Sequence, residues 1–156
     1  MKNMEIEKKF LVGEIPYDLE TLQYHDIEQA YLCVKPVVRI RKQDGEYILT
    51  YKGSGMMERE EYNLPLNEEA YLHLKEKADG HIISKRRYMI PIENDLTIEL
   101  DVFHDSLAPL ILAEVEFPDT KTAESFTPPA WFTKEVTFDK RFHNSYLSKV
   151  GFDPVY

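Results

Sequence analysis

The 156-residue chain, with 43% apolar and 30% charged residues, suits one globular domain over 1–156 and excludes a disordered chain. Its net charge of -9 argues against general binding of nucleic acid or an anionic membrane, so a phosphate ligand must meet a local concentration of bases. The lone Cys33 cannot form an internal disulfide, Met1–Glu5 lacks the apolar run of a signal peptide, and no uncharged stretch approaches the roughly 18 residues of a bilayer span; a cytoplasmic protein is expected.

Strand signals dominate the chain. Short runs rich in β-branched and aromatic residues occupy 4–12, 28–34, 37–42, 47–52, 59–64, 82–90, 96–103 and 111–117. Asp44-Gly45, Gly53-Ser54-Gly55 and Glu93-Asn94-Asp95 are turn formers between them, and 41–46 reads as a hairpin connection. A short helical turn is expected near 17–22. Asn67 is a helix N-cap, with Ala70, Tyr71, Leu74 and Ala78 on one face and Gly80 as the residue that ends the helix. Pro128-Pro129 marks a loop, and a second helix is expected over 140–150, closed by Gly151.

Alternate residues of a strand share a face, and here one face of nearly every strand is charged. Glu5, Glu7 and Lys9 fall together, as do Arg39 and Arg41. Lys52 lies opposite Leu49 and Tyr51. Arg59 with Glu61, Lys85 with Arg87, Glu99 with Asp101, and Glu114 with Glu116 repeat the pattern. A sheet with one wet face would also alternate. The polar positions here, however, are almost all ionised, with bases and acids grouped by strand. About eight strands suffice to close a barrel around one ligand. Carboxylates inside it could hold a divalent cation while Lys and Arg bind an anion's oxygens, a pairing that suits a polyphosphate. The expected fold is therefore predominantly β (α+β): a closed eight-stranded antiparallel β-barrel with a few flanking helices.

Glu5-Ile6-Glu7-Lys8-Lys9 resembles the ExExK signature of the CYTH superfamily, the triphosphate tunnel metalloenzymes. Further matching elements follow in order. Arg39-Ile40-Arg41 is similar to the RxR strand, and 49–53 to the lysine strand ending in glycine. Arg59-Glu60-Glu61, Lys85-Arg86-Arg87, 99–103 and Glu114-Val115-Glu116 resemble the RxE, KxR and two acidic strands. Residues 135–141 resemble the closing segment of short bacterial members, with Asn144 and Leu147 following. Where many relatives read RxExE, Asn63 replaces the last acid; it can accept a hydrogen bond but brings no charge.

The resemblance implies a metal-dependent phosphoanhydride hydrolase using Mg²⁺ or Mn²⁺. Its metal ligands would be Glu5, Glu7, Asp101 and Glu116, with Glu61 and Glu114 as ligands or beside them. Lys9, Arg39, Arg41, Lys52, Arg59, Lys85 and Arg87 would grip the triphosphate, joined by Lys134 or Arg141. Of these, Lys9, Lys52, Arg59 and Lys85 are the candidates for a catalytic role. The substrate expected is inorganic triphosphate, as in short bacterial tripolyphosphatases, with a small molecule as the only partner and a homodimer allowed. An adenylyl cyclase or thiamine triphosphatase in the same fold is the alternative enzyme, and a non-catalytic polyphosphate-binding module the alternative class. Tyr47, Tyr51, Tyr62 and Tyr88 fall on the apolar faces, which leaves no aromatic cluster for a purine.

Other residues carry less. His25, His73, His81, His104 and His143 lack i, i+4 ligand spacing, and Cys33 has no evident base beside it. No helix with Lys-Ser/Thr follows Gly53-Ser54-Gly55, so it reads as a turn rather than a phosphate loop. Trp131 reads as a core or end-plug aromatic, with contact to an organic substrate as the other option.

Overall fold

A computed structural model describes residues 6–53 and 60–154. Glu5, Arg59 and the Ser54-Gly55 half of the expected turn lie outside the described residues. Among the described residues, nine strands form one antiparallel sheet: β1 (Ile6–Val12), β2 (Gln23–Val34), β3 (Val37–Gln43), β4 (Glu46–Lys52), β5 (Glu61–Leu66), β6 (Ile83–Pro91), β7 (Thr97–Phe103), β8 (Ile111–Phe117) and β9 (Phe132–Glu135). Their order is β5-β4-β3-β2-β6-β7-β8-β1-β9.

The sheet is not closed, which corrects the expected eight-stranded barrel. β9 is the reason. Only four residues long and without alternation, it escapes a sequence reading, yet it pairs with β1 through Phe10↔Glu135, Leu11↔Lys134 and Val12↔Phe132. The free side of β1 is thereby occupied, and β5 remains an edge. β2 is also longer than expected, because it begins at Gln23 to pair with Met89 of β6.

Local chemistry explains the turns and helices. Asp44 (φ 51°) and Gly45 (φ 86°) form the two-residue link between β3 and β4, with positive φ at both positions as a type I′ hairpin turn requires. Leu19–Thr21 is a single 3-10 turn, capped by Asp18. The helix α1 (Glu68–Lys75) starts where Asn67 accepts the amide of Ala70 at 2.7 Å. It ends at Lys75 rather than at Gly80. Gly80 has another duty: at φ +95°, a Cβ there would lie 2.2 Å from the Ser148 carbonyl oxygen. That close approach lets the His81 amide donate to Ser148 O. A helix the sequence did not announce, α2 (Thr120–Ser125), is capped by Asp119. The expected helix over 140–150 is two pieces, a 3-10 turn at Lys140–Phe142 and α3 (Asn144–Val150), because His143 between them is extended.

Packing is inverted relative to an ordinary sandwich, since the apolar faces of most strands point outward and are roofed by helices and loops, while Tyr62 and Leu64 of the edge strand β5 stay exposed. Tyr71 of α1 packs on Ala30 and Ile40. Ala123 of α2 joins Phe10, Ile98, Leu100, Val115 and Phe117. A third cluster, including Leu11, Tyr31, Ile83, Phe103 and Leu112, is topped by Phe142 and Leu147 of the C-terminal turn and α3. These strand residues share the face that carries the charges, so they plug one end of the interior. The other end is left to ionised side chains.

Candidate functional site

The charged faces meet around one cavity of about 270 Å³, lined only by charged and amide side chains. Arg39 and Arg41 come from β3 and Lys52 from β4. Glu7, Glu99, Glu114 and Glu116 come from β1, β7 and β8, while Arg87 and Gln29 stand between the two sets. Asn144 enters from α3. Seven of the nine strands therefore contribute to one cavity, which a flat sheet could not do. A wider vestibule of about 430 Å³ shares Glu7, Arg39, Lys52 and Asn144 and adds Lys9, Tyr31 and Phe138.

Strand register sets the acids against one another. Glu7 lies opposite Glu116 and Glu99 opposite Glu114. Arg87 is threaded into this group. Its Nε and Nη2 donate to Asp101 at 2.7 and 3.0 Å, its Nη1 lies 2.5 Å from Glu99 Oε2, and its Nη2 lies 3.3 Å from Glu114 Oε2. Lys85, fully buried, lies 2.8 Å from Asp101 Oδ2, and Lys9 lies 3.4 Å from Glu114 Oε1. Both oxygens of Asp101 are thus held by bases.

The other wall differs. The Nε atoms of Arg39 and Arg41 are buried without any hydrogen-bond partner. Burial pulls the Arg41 guanidinium down to about 10, and the nearby Arg87 and Arg39 cations pull the same way against Asp101 and Glu99. Arg87 is also buried, yet Asp101, Glu114 and Glu99 hold its proton more tightly than usual. Burial raises the Glu99 carboxyl above its ordinary range, and Glu114, Asp101 and Glu116 add to this while Arg87 opposes it. Burial would raise Asp101 as well, but Lys85 and Arg87 outweigh it and set the carboxyl at about 2. Lys85 is lowered by burial, with Asp101 opposing.

Of the residues singled out in the sequence, Glu7, Arg39, Arg41, Lys52, Arg87, Glu114 and Glu116 line the cavity. Lys9 lines the vestibule, and Lys85 and Asp101 support the cavity through Arg87 and Glu114. Glu61 pairs across from Lys52 on the edge strand. Lys134 is exposed on β9, and Arg141 donates to Asp139 beside a separate hollow with Tyr146 and Phe152. Asn63 accepts from Thr50 at 2.6 Å, so the missing acid there serves a strand contact. Glu99, Gln29 and Asn144 received no role from the sequence. The signal for Gln29 was present: it is a polar position between Ile27 and Tyr31, on the inner face of β2.

The donor set facing the cavity is carboxylate oxygen, the chemistry that a hard divalent cation prefers. Glu7, Glu99, Glu114 and Glu116 bring four carboxylates to the cavity, Glu99 and Glu114 already beside Arg87, and among the described residues no three such groups converge on one point.

Comparison with known proteins agrees with this geometry. The CYTH domain profile matches residues 3–150. The chain is 39% identical over 147 residues to an inorganic triphosphatase of Nitrosomonas europaea, covering 92% of this chain and 96% of that one. It is 35% identical over 151 residues to an inorganic triphosphatase of Acetivibrio thermocellus, covering 93% of each. A crystal structure of an inorganic triphosphatase superposes with a TM-score of 0.75 at 36% identity, over 94% of this chain and 95% of that one. A Hippeastrum protein with a dominant triphosphatase activity matches at TM-score 0.55 and 14% identity, over 78% of this chain and 83% of that one, a likeness of fold alone. By its profile match and these relatives, this chain belongs to the CYTH domain family.

Proposed function

We propose that this chain is a metal-dependent triphosphatase that hydrolyses inorganic triphosphate to orthophosphate and diphosphate. The observation that carries the reading is the pair of buried, unpartnered guanidinium Nε atoms of Arg39 and Arg41, facing four carboxylates across a cavity. A buried donor without an acceptor is costly, and a polyanion supplies acceptors to both arginines at once. The identity of the relatives as inorganic triphosphatases supports the same substrate.

In this reading Arg39, Arg41 and Lys52 grip the phosphate chain, and Lys9 meets it at the vestibule. Glu7, Glu99, Glu114 and Glu116 would hold Mg²⁺ or Mn²⁺, which when bound draws charge from the phosphate oxygens. We assign Asp101 and Lys85 to the support of Arg87 rather than to metal or substrate. A water attacks the terminal phosphorus in line, the bond to the bridging oxygen breaks, and the fixed cations stabilise charge on the departing diphosphate. They need no reorganisation as that charge develops, because the sheet already holds them in place.

One observation favours a nucleotide instead: Phe138 lines the vestibule and is 90% exposed, an available surface for a base. The test is phosphate release from inorganic triphosphate, ATP, GTP and thiamine triphosphate under Mg²⁺ and under Mn²⁺, with nucleotide products resolved by chromatography. The specificity constant is expected to be largest for inorganic triphosphate, with no cyclic AMP formed. Excess chelator and Glu116→Gln should each abolish most turnover. A larger constant for ATP, or turnover that survives chelation, would reject the reading.

A further inference from the structure

We infer that Gln29 positions the attacking water, an inference that rests on the triphosphatase reading. Gln29 is 2% exposed in the middle of β2, between Arg41 of β3 and Ile83 of β6, and its side chain lines the charged cavity. Its Oε1 has no hydrogen-bond partner. A buried amide oxygen left unpaired is destabilising, so such a group calls for a donor that arrives from outside the fold.

The chemistry of the site narrows which donor that is. An ionised triphosphate presents acceptors only, which suit Arg39 and Arg41 but offer nothing to an amide oxygen. A divalent cation could also take an amide oxygen, but the carboxylates that would hold it come from β1, β7 and β8, none of them a neighbour of β2, which leaves water, with its two O–H donors. With one of them given to Gln29 Oε1, a lone pair on the water oxygen is free to face the terminal phosphorus. A neutral amide also fits here electrostatically. A carboxylate at this place would neutralise Arg41, and a base would add repulsion to a wall that already lowers the Arg41 guanidinium. Gln29 is a weak acceptor and removes no proton itself. The new P–O bond forms from the water oxygen as the bond to the bridging oxygen breaks, and that bond's electron pair leaves with diphosphate. One proton of the water remains on the orthophosphate and the other passes to the diphosphate, so charge and atoms balance.

The role separates from substrate holding in kinetics. Gln29→Met keeps the length of the side chain and removes the oxygen. It should lower kcat on inorganic triphosphate by about 100-fold, the scale of a misplaced nucleophile. KM, and the Kd for a non-hydrolysable imido-bridged triphosphate measured with Mg²⁺, should stay within about threefold of wild type. Gln29→Asn keeps a neutral amide oxygen one methylene short of the same point and should recover kcat at least about threefold over Gln29→Met, which a loss of packing alone would not do, since Asn fills the site less well than Met. Unchanged kcat in Gln29→Met would overturn the inference. So would a loss confined to KM and Kd, which would make Gln29 a substrate-holding residue, or equal loss in both variants. Should Gln29→Met fail to fold, Gln29→Leu carries the same comparison. Absence of turnover in the wild-type protein would remove the triphosphatase reading itself, whereas turnover that ignores Gln29 removes this inference only.

Discussion

Two walls of the cavity contain the same residue type in opposite circumstances. On the β6–β7–β8 wall, Arg87 is met by Asp101, Glu99 and Glu114, and Lys85 is met by Asp101. On the β3–β4 wall, Arg39 and Arg41 have buried Nε atoms with no partner. On the first wall every base has an acid within ion-pair distance, although Lys85 Nζ, 2.8 Å from Asp101 Oδ2, makes no well-aligned hydrogen bond; on the second, the two arginine Nε atoms have no acceptor. A buried donor that already has its acceptor holds structure together; one that lacks it costs the ligand-free protein, and in the proposed function it is this donor that meets the phosphate chain.

The comparison breaks most sharply at Asp101. Asp101→Asn leaves Lys85 and Arg87 without their shared counter-charge, which should destabilise the fold by roughly 3–5 kcal/mol in chemical denaturation. A loss under about 1 kcal/mol would mean that the network is not a structural unit. Arg41→Ala should do the reverse. It should lower kcat/KM for inorganic triphosphate by about 100-fold or more while leaving the melting temperature unchanged or higher, since a repelled cation has been removed. A variant that melts early with intact kinetics would exchange the roles of the two walls.

Acid should act on the first wall. Asp101 has an ordinary value of 3.8 and is held at about 2 in the folded state, so its contribution is fully present above the unfolded value. It fades as pH falls from 3.8 through about 2. Unfolding free energy measured across that window should decline in the wild type and decline less in Asp101→Asn. Identical slopes would show that Asp101 is not the group being titrated. The smallest expected effect lies at the edge of the second wall, where Asn63→Ala removes the acceptor for Thr50 and should cost about 1 kcal/mol. It should leave kcat within about twofold. A large kinetic effect would bring Asn63 into the site.

The faces of the strands are legible in the sequence, because strand side chains alternate strictly and the charged positions keep that period through β1, β3, β4, β6, β7 and β8. The Asp44-Gly45 turn and the Asn67 cap are legible for a related reason: each depends on one residue's own backbone or side-chain preference. Three things depend on tertiary structure. Closure depends on whether β1 has a free side, and β9, with only four residues Phe132–Glu135, carries too little pattern to show that it occupies that side. The role of Gly80 depends on Ser148, far away along the chain, whose carbonyl oxygen leaves no room for a Cβ. The division between paired and unpaired bases depends on register. Lys85, Arg87, Arg39 and Arg41 look alike as letters, but β7 and β8 place Asp101, Glu99 and Glu114 within reach of Lys85 and Arg87, while the Nε atoms of Arg39 and Arg41 find no acceptor. Sequence determines which charges share a face because alternation is local; which charges neutralise one another is a matter of distances that only the folded sheet sets.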